Sequence, residues 1–167
     1  MNSEITELVD QLDLMPHPEG GFFKEVYRSN QLISQSALAG FSGDRNFCTS
    51  IYFLLTSENF SAFHRIKQDE IWHFYKGSPL LVHVIYPNGR YVCHEVGMHI
   101  ETGQFPQLTV PAGCWFASSV KEKDSYSFVG CTVAPGFDFD DFELAKEEEL
   151  MREYPQHSRI ISELTRQ

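Results

Sequence analysis

HRIKQDEIWHFYKG, residues 64–77, is the stretch that decides the fold. It places His64 shortly before Glu70, and Glu70 begins an aromatic-rich strand that stops at a glycine. Because successive side chains of a strand point to opposite faces, Glu70, Trp72 and Phe74 are predicted to share one face. A carboxylate buried at the head of such a strand needs a cation, a proton or a hydrogen-bond donor. His64 is the nearest candidate in the sequence, and we interpret the rest of the chain as a container around this pair.

Composition limits the class of protein. The 167 residues suffice for one domain (1–167, with a barrel core at about 20–135), and 42% hydrophobic content excludes a largely disordered chain. A formal net charge of -10 disfavours binding to nucleic acid or anionic lipid. No apolar run approaches the roughly 20 residues of a membrane span, and the N-terminus lacks the basic residues of a signal peptide. The sequence therefore predicts a cytoplasmic protein, with four dispersed cysteines as buried, reduced thiols.

Short β-rich segments recur about every 8–12 residues with Gly and Pro between them, which is typical of a sandwich or barrel. An amphipathic helix is predicted over 3–12, before the strands, and a short helical segment after them. The turn 17–21 has two glycines that can adopt positive φ, and residues 30–46 are predicted to be a polar loop. The predicted strands are 21–29, 47–55, 61–66, 70–77, a hairpin over 78–96, 105–110, 114–118 and 125–134.

The motifs resemble those of the cupins, whose fold is a double-stranded β-helix, or jelly-roll barrel. In the first cupin motif a His-x-His pair precedes a glutamate, and here His64 and Glu70 match while Ile66 replaces the second histidine. The second motif, Pro-x-Gly-x-x-His, matches residues 111–116 except at its last position, where Phe116 replaces the histidine.

More narrowly, five segments resemble, in the same order, one family of small cupins long catalogued only as a domain of unknown function. This resemblance implies an all-β jelly-roll with a short N-terminal helix and a C-terminal helical segment, and a homodimer, but no established reaction. A dimer would also cover the outer faces of strands 50–55 and 80–85, which are apolar on both sides. The five segments are PHPEGGFFKEVYRS (16–29), TSIYFLL (49–55), HRIKQDEIWHFYKG (64–77), PQLTVPAG (106–113) and VGCTVAPGFDFDDFEL (129–144).

A weaker likeness connects GGFFKE (20–25) with the first strand of the deoxysugar-nucleotide 3,5-epimerases, another group of cupins. Their catalytic base is a histidine on the strand where His64 falls. Their phosphate-binding arginine is Gly20 here, a departure from the pattern of that group. The likeness implies proton transfer of the isomerase or epimerase type, with His64 as base and Glu70 as its orienter or as conjugate acid.

Cupin metal sites usually take two or three histidines and a carboxylate. With only His64 and Glu70 in place we expect no metal cofactor; the alternative is a divalent transition metal held by these two. Without a metal, a carboxylate beside an imidazole suits general acid–base catalysis, and Tyr75 or Tyr126 is a candidate proton donor. The predicted ligand contacts are aromatic rings on which a ligand could stack and charged residues at the barrel mouth, where an arginine could bind a carboxylate or phosphate. They are Phe53, Trp72, Phe74, Phe116, Tyr126, Glu25, Arg28 and Arg65.

The sequence thus predicts a barrel that binds a small polar ligand, such as a sugar derivative, in its lumen as a metal-independent isomerase or epimerase. Two alternatives stay open. One is a non-catalytic metabolite-binding or storage-like module, favoured by the two replaced ligand positions. The other is a metal-dependent cupin enzyme with unusual ligands.

Overall fold

The computed structural model describes residues 3–166, in which two antiparallel sheets face each other around a common core. The helices are α1 (Ser3–Leu12), α2 (Glu147–Glu153) and α3 (Ser158–Glu163), and none of the described helices is long and apolar enough to cross a membrane. The strands are β1 (Met15–Pro16), β2 (Phe22–Arg28), β3 (Leu32–Ile33), β4 (Arg45–Asn46), β5 (Thr49–Thr56), β6 (Phe60–Arg65), β7 (Asp69–Gly77), β8 (Leu80–Ile85), β9 (Tyr91–Val96), β10 (Gln107–Val110), β11 (Trp115–Val120), β12 (Tyr126–Ala134) and β13 (Glu143–Leu144).

The strand order is that of a jelly-roll. One sheet runs β1-β2-β5-β12-β7-β10, the other runs β13-β6-β11-β8-β9, and β3 pairs only with β4. Most neighbours in each sheet come from distant parts of the chain, so the connections cross between the two sheets. The predicted all-β jelly-roll is therefore confirmed, and so are the predicted strands and terminal helices, with strand ends shifted by one or two residues. The four cysteines are free thiols, as predicted, but of these only Cys114 and Cys131 are buried, whereas Cys93 is exposed.

The segment 30–46 is more ordered in structure than the predicted loop. Its ends pair as β3 and β4, and a short 3₁₀ turn lies between them. Arg45 is buried and donates to both carboxylate oxygens of Asp141, at 2.7 and 2.8 Å. This partner lies far away in the sequence, which is why composition alone gave only a loop.

The chain's own helices cover part of the outer surface of each sheet. Helix α1 packs on the larger sheet over Leu54, and α2 and α3 pack on the smaller sheet over Ile85; both side chains are fully buried. On the outer face of the larger sheet, Tyr52 is only partly buried and Tyr75 is 48% exposed. The homodimer itself stays a prediction.

Two β-bulges set the faces of residues that matter below. One extra residue in β2, after Glu25, puts Glu25 and Arg28 on the same face of the sheet. One extra residue in β6, within 61–64, does the same for Ser61 and His64. Without the bulges, residues three apart in a strand would point to opposite faces.

Candidate active site

A cavity of about 310 Å³ opens between the two sheets. Its inner part is buried, since Glu19, His64, Glu70 and Trp72 are each 9% exposed or less. Its open end lies at Arg28 and the more exposed residues beside it. The lining comprises His17, Glu19, Phe23, Glu25, Arg28, Thr49, Ile51, Phe53, Ser61, His64, Ile66, Glu70, Trp72, Cys131, Val133, Phe137, Asp138 and Phe139.

One wall of the cavity is built by paired residues of β2 and β5. Alternate residues of β5 face the lumen, as the period of a strand requires. Each is paired with a β2 residue that also lines the cavity, and the bulge keeps this pattern as far as the mouth. The pairs are Phe53 with Phe23, Ile51 with Glu25 and Thr49 with Arg28.

The turn 17–21 carries Glu19 into the lumen. Gly20 and Gly21 have φ values of +116° and +79°, in the region that favours glycine, as the sequence predicted. A Cβ at Gly20 would overlap the carbonyl oxygen of Phe60, so the arginine of the epimerase motif has no room at this position. Arg166 fixes the turn from outside by donating to the Glu19 carbonyl oxygen at 2.9 and 3.1 Å.

The His64 imidazole is held through Nδ1. This atom lies 2.7 Å from the Ala62 carbonyl oxygen and 3.1 Å from Glu19 Oε2. A carbonyl oxygen only accepts hydrogen bonds, so Nδ1 carries the proton and the neutral ring keeps its lone pair on Nε2. Ser61 Oγ donates to Glu19 Oε2 at 2.8 Å and fixes the carboxyl group. Burial lowers the pKa of His64 and so favours the neutral ring, although Glu70 opposes this shift.

Two buried carboxyl groups share the site with this imidazole. Burial raises the pKa of Glu70 to about 7; His64 opposes the rise and Glu19 adds to it. Burial likewise raises the pKa of Glu19 to about 7. Hydrogen bonding joins the Cys131 thiol to Glu70, and burial raises the pKa of that thiol well above its usual value. Near neutral pH the cavity can therefore offer both a carboxylic acid and an imidazole base.

His17 completes the polar cluster from the same turn. Its Nδ1 accepts the Glu19 backbone N–H at 3.2 Å, which leaves the ring proton on Nε2. The ring packs edge-on against Phe23 and Phe53, and burial lowers its pKa. Sequence reasoning missed His17, Glu19 and Ser61. The signal for the first two was the His-Pro-Glu-Gly-Gly turn, whose paired glycines let the chain fold back towards the barrel.

Six residues proposed from the sequence do line the cavity. They are the pair His64 and Glu70 and the predicted contacts Phe53, Trp72, Glu25 and Arg28. Glu70, Trp72 and Phe74 share one face of β7, as predicted. The predicted ligand contact of Phe74 is wrong, because this side chain is half-buried against the hydrophobic core and does not line the cavity.

Two further predicted ligand contacts, Phe116 and Arg65, are wrong, because each side chain packs against other residues of the protein. Phe116 lies on the strand next to His64 and packs against the imidazole with ring centroids 4.1 Å apart, but it does not line the cavity. Arg65 follows His64 in the same strand and points outward, so its guanidinium lies over the Trp115 ring at 4.4 Å. Its Nε donates to Glu143 at 2.7 Å.

The two tyrosines proposed as proton donors also lie elsewhere. Tyr126 is buried in the cluster beneath α1, on the outer face of the larger sheet. Tyr75 is half-exposed and lies over Gly130, on the side of β7 opposite to Glu70. Neither side chain lines the cavity, so the donor assigned to them is wrong.

Comparison with known proteins agrees with this architecture. The family model described as Cupin superfamily (DUF985), Cupin_5, matches residues 6–145. The chain belongs to the Cupin_5 family. It is similar to the uncharacterized protein YML079W of Saccharomyces cerevisiae, with 32% identity over 160 residues that cover 90% of this chain and 79% of the yeast protein.

Two solved structures resemble this Cupin_5 chain along almost its whole length. Protein SO0799 from Shewanella oneidensis is 39% identical, with a TM-score of 0.86 and 96% of each chain covered. A hypothetical protein from Leishmania major is 37% identical, with a TM-score of 0.88 and 97% and 98% of the two chains covered. The resemblance stated from the sequence motifs is therefore confirmed at the level of the family.

The residues of this Cupin_5 chain do not fit the metal cage of the cupin motifs. Ile66 lines the cavity and Phe116 packs beside His64, where the motifs would place histidines, and neither hydrocarbon side chain can ligate. Within residues 3–166, no group of three or more His, Cys, Asp or Glu side chains is arranged to hold a metal ion. Acid–base chemistry by side chains is what this donor set supports.

Proposed function

We propose that this Cupin_5 protein is a metal-independent acid–base catalyst of the isomerase or epimerase type. It acts on a small polar molecule that binds in the barrel lumen and carries a carbonyl group. One observation carries the proposal: the His64 imidazole is held through Nδ1 by Ala62 and Glu19, inside the same enclosed cavity as Glu70.

The tautomer of His64 determines which group acts as base and which as acid in the proposed reaction. Nε2 of His64 takes a proton from the carbon next to the carbonyl, and the C–H electron pair forms the carbon–carbon double bond of an enol. The carbonyl oxygen receives its proton from Glu70, whose pKa of about 7 suits a donor near neutral pH. In the second half the Glu70 carboxylate takes back an O–H proton as carbon is reprotonated. Return of a proton to the same carbon, on its opposite face, gives an epimer. Where that carbon bears a hydroxyl group, return to the former carbonyl carbon, with loss of the hydroxyl proton to Glu70, gives an isomer. Glu19, at 3.1 Å from Nδ1, stabilises the imidazolium between these steps.

The surroundings of the pair support a bound ligand. Phe23, Phe53 and Trp72 line the same cavity and offer ring faces on which the apolar side of a small molecule can pack. His64 and Glu70 are both buried, and the lower polarity of a buried site strengthens the interactions of these two acid–base groups.

Exchange of carbon-bound protons tests the proposal. The protein is incubated in D₂O with a panel of aldoses and ketoses, and NMR follows loss of the proton next to the carbonyl. We expect exchange in the wild type and a loss of at least about a hundredfold in His64→Asn and in Glu70→Gln. The matched control is His73→Asn, which changes a histidine on the outer face of β7 and leaves the rate unchanged.

Two results would contradict catalysis. The first is exchange in His64→Asn at the wild-type rate, with both proteins folded by circular dichroism. The second is tight binding of a sugar with no exchange, which favours a non-catalytic binding module, the function that the replaced ligand positions Ile66 and Phe116 also allow.

A further inference from the structure

We infer that the cavity selects an uncharged, hydroxyl-bearing ligand of about monosaccharide size and rejects its phosphorylated and carboxylated forms. This inference rests on the proposed function and names the substrate class of that same site. It departs from the expectation, drawn from the sequence, that an arginine at the mouth would bind an anion.

The charges that line the cavity are unfavourable for an anion. Four carboxyl groups belong to the lining, those of Glu19, Glu25, Glu70 and Asp138, against the single guanidinium of Arg28. An anion that enters the buried part loses its hydration beside Glu19 and Glu70 and gains no cation there in return. A neutral ligand avoids this cost.

Arg28 has no free donor for a ligand. A guanidinium has five N–H groups, and each of them has an acceptor here. Nε and Nη2 donate to the two carboxylate oxygens of Glu25 at 2.9 and 2.7 Å. The remaining N–H groups donate to Asn46 Oδ1 at 2.8 Å and to the Phe137 carbonyl oxygen at 3.1 Å from both Nη atoms. The planar fork that could grip a phosphate or carboxylate is therefore occupied by the protein itself.

The inner polar groups suit hydroxyl groups instead. Nδ1 of His64 donates to a carbonyl oxygen, so Nε2 of this ring is an acceptor. Nδ1 of His17 accepts a backbone N–H, so Nε2 of that ring is a donor. The Trp72 side chain lines the cavity, but its indole nitrogen is buried, so Trp72 offers a ligand its ring and not its N–H group. A hydroxyl group both donates and accepts, so it can use the acceptor of His64 and the donor of His17 without bringing a charge.

The volume sets the size of the ligand. About 310 Å³ lies at the lower end of the roughly 300–1,000 Å³ typical of small-molecule sites. A single sugar ring fits this space and can lay its apolar face on Phe53 or Trp72, whereas a nucleotide-linked sugar is too large to be enclosed.

Binding of matched sugars tests the inference. Aldohexoses are compared with their 6-phosphates and with the corresponding uronates by calorimetry and ligand-observed NMR. We expect at least one neutral sugar to bind, and its charged counterparts to bind at least about tenfold more weakly. Glu25→Gln removes the carboxylate from Arg28, so this variant gains about tenfold or more in affinity for the charged counterparts, and Glu25→Gln with Arg28→Met loses that gain.

Each result has a definite meaning. Equal or tighter binding of a phosphate or uronate by the wild type overturns the inference, as does a Glu25→Gln variant that gains no anion affinity while its melting temperature is unchanged. Failure of every sugar to bind overturns it too. If neutral sugars bind without proton exchange, the proposed catalysis is contradicted and the inference about ligand charge is retained. If proton exchange occurs with charged sugars alone, the proposed catalysis is supported and the inference is overturned.

Discussion

Replacing Glu70 by glutamine removes an ionisable group from the lumen with little change of shape. Burial raises the pKa of Glu70 from its usual 4.5 to about 7. Between these two values the folded protein keeps a proton that the unfolded chain has released. The stability linked to this proton is complete below pH 4.5 and is lost as the pH rises through 7. At about 1.4 kcal/mol for each pKa unit, that loss is about 3 kcal/mol.

The assay compares the free energies of unfolding of Glu70→Gln and the wild type in urea between pH 5 and pH 8. The neighbours that titrate are present in both proteins, so the difference between the two curves reports Glu70 together with its coupling to His64, Glu19 and Cys131. We expect the variant to gain about 2–3 kcal/mol on the wild type as the pH rises across this range.

An exposed acid serves as the control. Glu122→Gln alters a solvent-exposed carboxyl, and we expect its free energy of unfolding to stay within about 0.5 kcal/mol of the wild type. Parallel curves for Glu70→Gln and the wild type would refute the reasoning, because they would mean that the carboxyl of Glu70 is hydrated in the folded protein.

Two further variants test the buried ion pair of Arg45 with Asp141 and the effect of the two replaced histidine positions on metal binding. Arg45→Met leaves the buried carboxylate of Asp141 without its guanidinium, so we expect a loss of about 3–5 kcal/mol in the free energy of unfolding by urea titration; a loss below about 1 kcal/mol would show that the pair is not structural. Ile66→His with Phe116→His restores both histidine positions of the cupin motifs. We expect this double variant to retain about one equivalent of Zn²⁺ or Mn²⁺ after dialysis, by elemental analysis, and the wild type to retain none; a folded double variant without metal would contradict the explanation given for the cage.

The candidate site was only partly predictable from the sequence. His64 and Glu70 could be found because their motif spacing and the alternation of a strand are local properties. The network around them could not. Glu19 reaches the lumen through a turn, and Ser61 reaches it through a bulge, so neither follows from strand parity.

The same limit applies to the mouth of the cavity. The sequence could offer Arg28 as an anion-binding residue, since guanidinium groups commonly bind carboxylates and phosphates. Whether its N–H groups are free depends on partners brought by other segments. Two of these partners, Asn46 and Phe137, lie 18 and 109 residues away in the chain.

By itself the sequence determined the barrel, its strands and the histidine–carboxylate pair, because apolar periodicity and turn residues act over a few positions. Only the tertiary structure decided which side chains surround that pair and which charges are already neutralised by the protein. The physical reason is that one inserted residue reverses the facing of a strand, and that a hydrogen-bond partner is chosen by proximity in space.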